Sequence, residues 1–174
     1  MGVRTTSWGP SLWTSSFCMA INYNDHPSPN KREIYLNYFQ LLGEVLPCVF
    51  CRTYYKECEE ILPLQDFIDD KTLEYPVLYW LYLLKDLVNK KLMRQENECY
   101  KLEAYKIEND DTLNYRAKLY RKSKLRKQLF YTQASPPYKD VLAYYLSLKS
   151  SCETKEINRA LKSCRHIPMN RQRE

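Results

Sequence analysis

Seven cysteines stand at positions 18, 48, 51, 58, 99, 152 and 164, and two of them, Cys48 and Cys51, form a C-x-x-C directly after Pro47. Pro47 ends one helical pattern and can begin another. The first sulfur then lies at a helix start and the second three residues on, within disulfide reach. Free N–H groups and the positive dipole end of a helix favour thiolate there, so one member of such a pair is nucleophilic near neutral pH. A redox dithiol requires that property, because a thiolate attacks or is released in each exchange step. Two other readings fit the same residues. The spacing also suits half of a zinc site, but tetrahedral zinc needs two more ligands. Cys152 and Cys164 are twelve apart, and His26 and His166 are isolated, so the usual second pair is missing. A chance C-x-x-C in a cysteine-rich chain is the third reading. A thioredoxin-like context is lacking, since that motif follows a strand in an α/β pattern. Being odd in number, the cysteines cannot all pair within one chain.

The elements that must hold this pair are helical. The 174 residues fit one domain, or one with an appendage. An apolar fraction of 44% suffices for a packed core, and only three glycines against 16 tyrosines disfavours Gly-turned sheets. No run of period-two alternation is long enough for a strand, and there is no internal repeat. Trp8-Gly9-Pro10 opens a helical stretch to about Ile21, with Pro10 near its first turn, where a missing N–H costs little. The loop 22–29 breaks it with two prolines. Ile34, Tyr38, Leu41, Leu42 and Val45 trace one face of a helix over 30–46. The next helix runs from about Cys48 to Ile61; a turn at 62–66 and a weaker segment lead to Pro76. From Pro76 to Leu92 the pattern is strongest, with Trp80, Leu81, Leu84, Val88 and Leu92 sharing a stripe, and residues 97–108 predict a further short helix. Asn109-Asp110-Asp111-Thr112 reads as the capped start of a basic helix from Leu113 to about Tyr131. A turn at 133–137 and an apolar-aromatic segment from Val141 to Leu148 follow.

Charge divides the chain. Residues 1–100 hold ten Lys/Arg against thirteen Asp/Glu, and residues 101–174 hold seventeen against eight, for a net charge of +6 overall. The expected division is a core over 1–108 and a basic helical extension over 109–174. A basic helix such as Arg121 to Lys127 is more often a solvated or protein-docking face, and without a named nucleic-acid motif nucleic-acid binding is not expected. The N-terminus lacks the apolar core of a signal peptide. No uncharged apolar run approaches the ~18 residues of a membrane span. The expectation is a protein that is not secreted, held in a cytosol-like compartment, where cysteine pairs tend to be catalytic or metal-binding. Met1-Gly2 with Thr6 fits the short N-myristoylation pattern.

Three segments then stand in order: Trp8-Gly9-Pro10-Ser11-Leu12-Trp13, the Pro47–Cys51 segment, and Tyr79 to Leu92. Together they resemble the Erv/ALR family of FAD-linked sulfhydryl oxidases, whose chains read W-G-x-x-x-W-x-x-x-H, P-C-x-x-C, then H-N-x-V-N-x-x-L-x-K. The resemblance covers roughly residues 8–100. Phe17 stands where the first motif has His, and Lys85 and Asp86 where the third has His-Asn. Val88, Asn89 and Leu92 match, and Arg94 supplies the expected cation. Cys99 falls where many members place the first cysteine of a structural pair, but Arg116 occupies the partner position. Divergence of this kind resembles the compact viral members and implies a large DNA virus as source.

The resemblance implies an all-α fold, a four-helix bundle plus a short fifth helix, cradling FAD and paired as a homodimer. Cys51 would be the flavin-proximal sulfur and Cys48 the one exchanging with substrate. Trp8, Gly9, Trp13, Phe17 and Tyr23 would belong to the adenine and ring environment, with Val88 and Leu92 on the same wall. Lys85, Asn89, Lys91 and Arg94 would face the cofactor's polar part. Cations beside a pyrophosphate and flat rings beside adenine or isoalloxazine suit that group. The alternatives are a solvated face for the cations and ordinary core for Trp13 and Trp80. The implied activity is disulfide formation in thiol-containing protein substrates, with a small redox-relay protein as a further partner. Electrons pass through flavin to O2 and give H2O2. The implied setting is virion assembly in host cytoplasm. No metal is implied. Cys152 and Cys164 read as a shuttle pair, a structural disulfide or two free thiols, and Cys18 and Cys58 as buried free thiols. The rival reading is a cysteine-rich structural, nucleic-acid-binding or partner-binding viral protein without catalysis, favoured if the histidine losses abolish FAD binding.

Overall fold

The computed structural model describes residues 3–24 and 29–149; Gly2, His26, Cys152, Cys164 and His166, and the expectations attached to them, lie outside that range. Among the described residues all regular structure is helical. Helix α1 spans Thr5–Ile21 and ends in a 3-10 turn, Asn22–Asn24. It is followed by α2 (Lys31–Val45), α3 (Val49–Ile61), the short α4 (Gln65–Ile68), α5 (Pro76–Glu108), α6 (Tyr115–Leu129) and α7 (Tyr138–Ser147). The expected all-α bundle is present: α1, α2, α3 and α5 enclose one core, with α4 as the short fifth helix. Phe17, Ala20 and Ile21 enter it from α1, Phe39 from α2, Tyr55 and Cys58 from α3, and Val77, Leu78, Trp80, Leu81 and Leu84 from α5. No described helix is long and apolar enough to cross a membrane.

Trp80 is the centre of that core. It is wholly buried, meets Phe39 edge to face at 4.8 Å, and donates its indole N–H to the Leu62 carbonyl at 2.9 Å. The last contact pins the chain where it leaves α3. Helices α2 and α3 meet at Gly43, where a Cβ would lie 2.4 Å from the Tyr55 ring. The missing side chain lets that ring lie on the α2 backbone, and the Tyr55 hydroxyl donates to the Phe39 carbonyl at 2.8 Å.

This contact corrects the reading of α2. Of the expected apolar face, Tyr38 and Leu42 pack against the core, but Ile34, Leu41 and Val45 are exposed, while Phe39 and Gly43 are buried. Apolar spacing alone counts Gly43 as nothing; in the structure it is the closest approach between two helices. Three further expectations change. The segments 76–92 and 97–108 form one helix of 33 residues, about 50 Å long. Pro76 occupies its first turn, and no later proline or glycine interrupts it. The 109–112 segment does not cap α6. Asp110 instead closes a turn on the N–H and hydroxyl of Thr112, and Asn114 is the N-cap, accepting from the Ala117 N–H at 2.9 Å. Helix α1 also begins earlier than expected, at Thr5, so Pro10 lies inside it.

Beyond α5 the chain folds back along it in antiparallel sense. Lys122 pairs with Glu108, Arg121 lies 3.6 Å from Asp110, and the Phe130 ring packs on Tyr100 at 5.4 Å. The connecting strap continues down the same face. Thr132 donates its N–H (3.1 Å) and its hydroxyl to Glu96, the Ser135 hydroxyl meets Asn89 at 3.0 Å, and the Pro136 carbonyl accepts from Tyr82 at 3.0 Å. Glu96 is the one buried residue in α5 beyond Leu84, so its carboxylate is spent on the strap. Helix α7 then packs on α1 and α5, with Tyr138 edge-on to Tyr79 at 4.9 Å.

Candidate active site

The local sequence builds the dithiol. A residue before proline is driven to extended backbone, and Leu46 sits at φ −53°, ψ 132°, ending α2. Cys48 follows, extended at φ −122°, ψ 122°, as the N-cap of α3. Its sulfur takes the place usually held by a Ser, Thr, Asp or Asn oxygen and accepts the Cys51 N–H at 3.3 Å. Its carbonyl accepts the N–H groups of Cys51 (3.1 Å) and Arg52 (3.0 Å). Both sulfurs therefore share the first turn of one helix, and both are reduced, half-buried thiols.

The two thiols differ. The Cys51 thiol donates to Cys48, and this bond, helped by backbone N–H groups and the Arg52 charge, holds Cys48 below the ordinary thiol range despite some burial. Burial raises Cys51 to about 11, with the bond and charge of Cys48 adding to it, while Lys91 and Arg52 pull the other way. Of the reduced pair, Cys48 loses its proton at the lower pH and Cys51 at the higher. Alkylation of the reduced protein should accordingly be fastest at Cys48, rising with pH below the usual thiol range and then levelling. The rate at Cys51 should keep climbing toward about pH 11. Peptide mass mapping of carbamidomethyl adducts across pH checks this, and equal rates at the two sulfurs would contradict it.

Neighbouring side chains hold the turn. Arg52 donates to the Leu46 carbonyl at 2.5 Å, tying the end of α2 to the start of α3. Lys91, from α5, lies 3.6 Å from the centre of the Tyr54 ring, and the Tyr54 hydroxyl donates to the Leu87 carbonyl at 3.2 Å. Cys51, Tyr54 and Cys58 follow one another at helical spacing on α3, opposite Leu87 and Lys91. That i, i+3, i+7 relation was legible in the sequence; neither Arg52 nor Tyr54 was singled out.

The residues assigned by resemblance fall into three places. Lys91 joins the dithiol through its electrostatic effect on Cys51. Lys85, Asn89, Trp13 and Phe17 form a second cluster. Lys85 donates to Asn89 at 2.7 Å and stands 4.9 Å over the Trp13 ring, whose centre is 6.4 Å from that of Phe17. Val88 and Leu92 are half-buried on α5 between these groups. Tyr23 belongs to neither, packing edge-on to Tyr35 at 5.0 Å with Lys31 at 4.5 Å. Trp8 donates to the Val3 carbonyl at 3.2 Å, Gly9 has open space around its α-carbon, and Arg94 is exposed. Cys99 is an exposed free thiol, Cys18 is half-buried and Cys58 is buried. No three His, Cys, Asp or Glu side chains gather as metal ligands among the described residues.

A half-buried dithiol at the start of α3, with the Lys91 cation beside it over the Tyr54 ring, sits on a helical bundle. The chain belongs to the Erv1/Alr family, whose match covers residues 10–109. It is 33% identical over 54 residues to a putative FAD-linked sulfhydryl oxidase, 096R, of Invertebrate iridescent virus 3. That alignment covers 31% of this chain and 36% of the relative. The family match ends one residue past α5, leaving the strap, α6 and α7 outside it.

The residues present suit FAD. Lys85 and Lys91 each hold a cation beside a ring face, the complement of a group that joins a pyrophosphate to two aromatic systems.

Proposed function

We propose that this chain is an FAD-dependent sulfhydryl oxidase that introduces disulfides into protein substrates. The observation that carries the reading is the N-cap placement of Cys48, whose sulfur accepts from Cys51 at the start of α3. In the oxidised protein a substrate thiolate attacks Cys48, forming a mixed disulfide and releasing Cys51. In that state Cys48 carries no charge and accepts no proton, so two of the effects that raise Cys51 are gone. Burial, the largest of the raising effects, then stands against Lys91 and Arg52 alone. The second substrate thiol attacks the mixed disulfide, leaving as the substrate disulfide and returning Cys48 as a thiol. Bound FAD supplies the two-electron acceptor that restores the Cys48–Cys51 disulfide, with O2 as final acceptor and H2O2 as product. Lys85, Asn89 and Lys91 would hold its polar part, and Trp13 and Phe17 its rings.

The same reading extends to setting and assembly. The proposal extends to disulfide formation in viral proteins within host cytoplasm, the matched relative being a protein of a virus. The exposed apolar stripe Ile34, Leu41 and Val45 on α2 offers a face for a second copy. Purified protein should be yellow and should consume oxygen when given a dithiol. A colourless protein that fails to take up added FAD would sink the oxidase reading.

A further inference from the structure

Phe50 stands between the two cysteines in the first turn of α3 and is 80% exposed; Val49 beside it is 55% exposed. A cleft of about 330 Å³ runs from Val49 along α3 to Glu60, lined also by Glu44, Arg52, Lys56 and Glu57. Both of its cations are engaged: Lys56 pairs with Glu44 at 2.8 Å, and Arg52 donates to the Leu46 carbonyl at 2.5 Å. Glu57 and Glu60 are exposed and take part in no ion pair among the described residues. We propose that Phe50, Val49 and this cleft form the docking surface for the segment around a substrate's cysteine. That segment is extended, with an apolar side chain next to the cysteine and a Lys or Arg about five residues away. The proposal rests on the oxidase reading and names its substrate class.

The chemistry fixes the occupant. An attacking sulfur must come within bonding distance of the Cys48 sulfur, so the residues next to it in the substrate fall on the first turn of α3, where Phe50 and Val49 stand. Cysteine is among the most buried residue types. A chain whose thiols are still reduced therefore exposes apolar neighbours that the finished fold covers, and two exposed apolar side chains beside Cys48 match them. The charge in the cleft sets the second requirement. Glu60 lies about 18 Å along α3 from Cys48, at 1.5 Å per helical residue. Extended chain covers that length in about five residues, which brings a basic side chain at that distance to Glu57 and Glu60.

Oxygen consumption by the full-length holoprotein tests this with two kinds of substrate. One is dithiothreitol, too small to reach beyond the sulfurs; the other is a reduced dithiol peptide with Phe beside its cysteine and Lys five residues on. The readout is the ratio of kcat/KM for the peptide to that for dithiothreitol, which cancels any change in the dithiol itself. Phe50→Ser should lower the ratio roughly tenfold, the scale of one apolar side chain left uncovered. Phe50→Leu should restore most of it, and Ile61→Ser, at the far end of α3, should leave it at the wild-type value. Wild-type protein should prefer the Lys peptide to one with Glu at that position, and Glu57→Lys combined with Glu60→Lys should reverse the preference. An unchanged ratio in Phe50→Ser overturns the proposal. So does a dimer that becomes monomer in Phe50→Ser by analytical ultracentrifugation, which would give this face to a second copy. Wild-type protein that oxidises neither substrate defeats the oxidase reading and the docking surface together, whereas normal dithiothreitol turnover with indifferent variants defeats the docking surface alone.

Discussion

Cys51→Ser is expected to reduce dithiol oxidation to the uncatalysed background while leaving bound flavin in place. A disulfide needs both sulfurs, so Cys48→Ser should be equally inactive in an oxygen electrode. The two variants should differ in what they trap. With Cys51 gone, Cys48 keeps its place at the helix start and its backbone N–H groups, so it remains the nucleophilic thiol and accumulates as a mixed disulfide with an oxidised dithiol probe. With Cys48 gone, the remaining sulfur is the half-buried Cys51, whose thiol burial pushes up, and adducts should form slowly. Peptide mass mapping distinguishes Cys48 adducts from those on the exposed Cys99. Cys18→Ser should keep most of the turnover. Appreciable oxidation by Cys51→Ser would remove the C-x-x-C from the chemistry altogether.

Trp80→Ala should cost about 3–5 kcal/mol of stability, the range for deleting a large aromatic from a core. The ring is wholly buried, its loss leaves Phe39 without its edge-to-face partner, and the Leu62 carbonyl loses its indole donor. For a chain of this size that corresponds to a Tm lower by roughly 10 °C. Trp80→Phe keeps a ring against Phe39 but not the N–H, so most of the stability should return, short by about 1 kcal/mol for the hydrogen bond and a further amount for the smaller ring. Urea unfolding followed by far-UV circular dichroism measures both. A loss under about 1 kcal/mol for Trp80→Ala would place the centre of the core elsewhere.

Much of this arrangement was legible in the residues. Pro47 before Cys48 announced the helix start, and the stripe from Trp80 to Leu84 announced the buried face of α5. What escaped was information carried by contact rather than by pattern. Gly43 has no hydropathy to enter a periodicity, yet it decides which face of α2 turns inward, and the apolar Ile34, Leu41 and Val45 then fall outside. Residues 94–98 are polar and carry no apolar stripe, which divides the helical pattern there, but continuity of α5 needs only the lack of a breaker. The Asn109–Thr112 cluster offered several equivalent caps, and the choice of Asn114 depends on where α6 meets α5. Tyr23 was assigned by likeness of motif, and the ring it packs against, Tyr35, comes from another helix. The strap's hold on Glu96 joins residues 36 positions apart, which no local spacing announces.

Cys58 has one further consequence. Its side chain is 1% exposed and packed inside the bundle, so a thiol reagent reaches it only during the moments when α3 separates from its neighbours. Cys48 and Cys99 accept reagent without such an event. The slow phase of labelling is therefore a clock built into the chain, and its rate measures how often the bundle around the dithiol opens under native conditions.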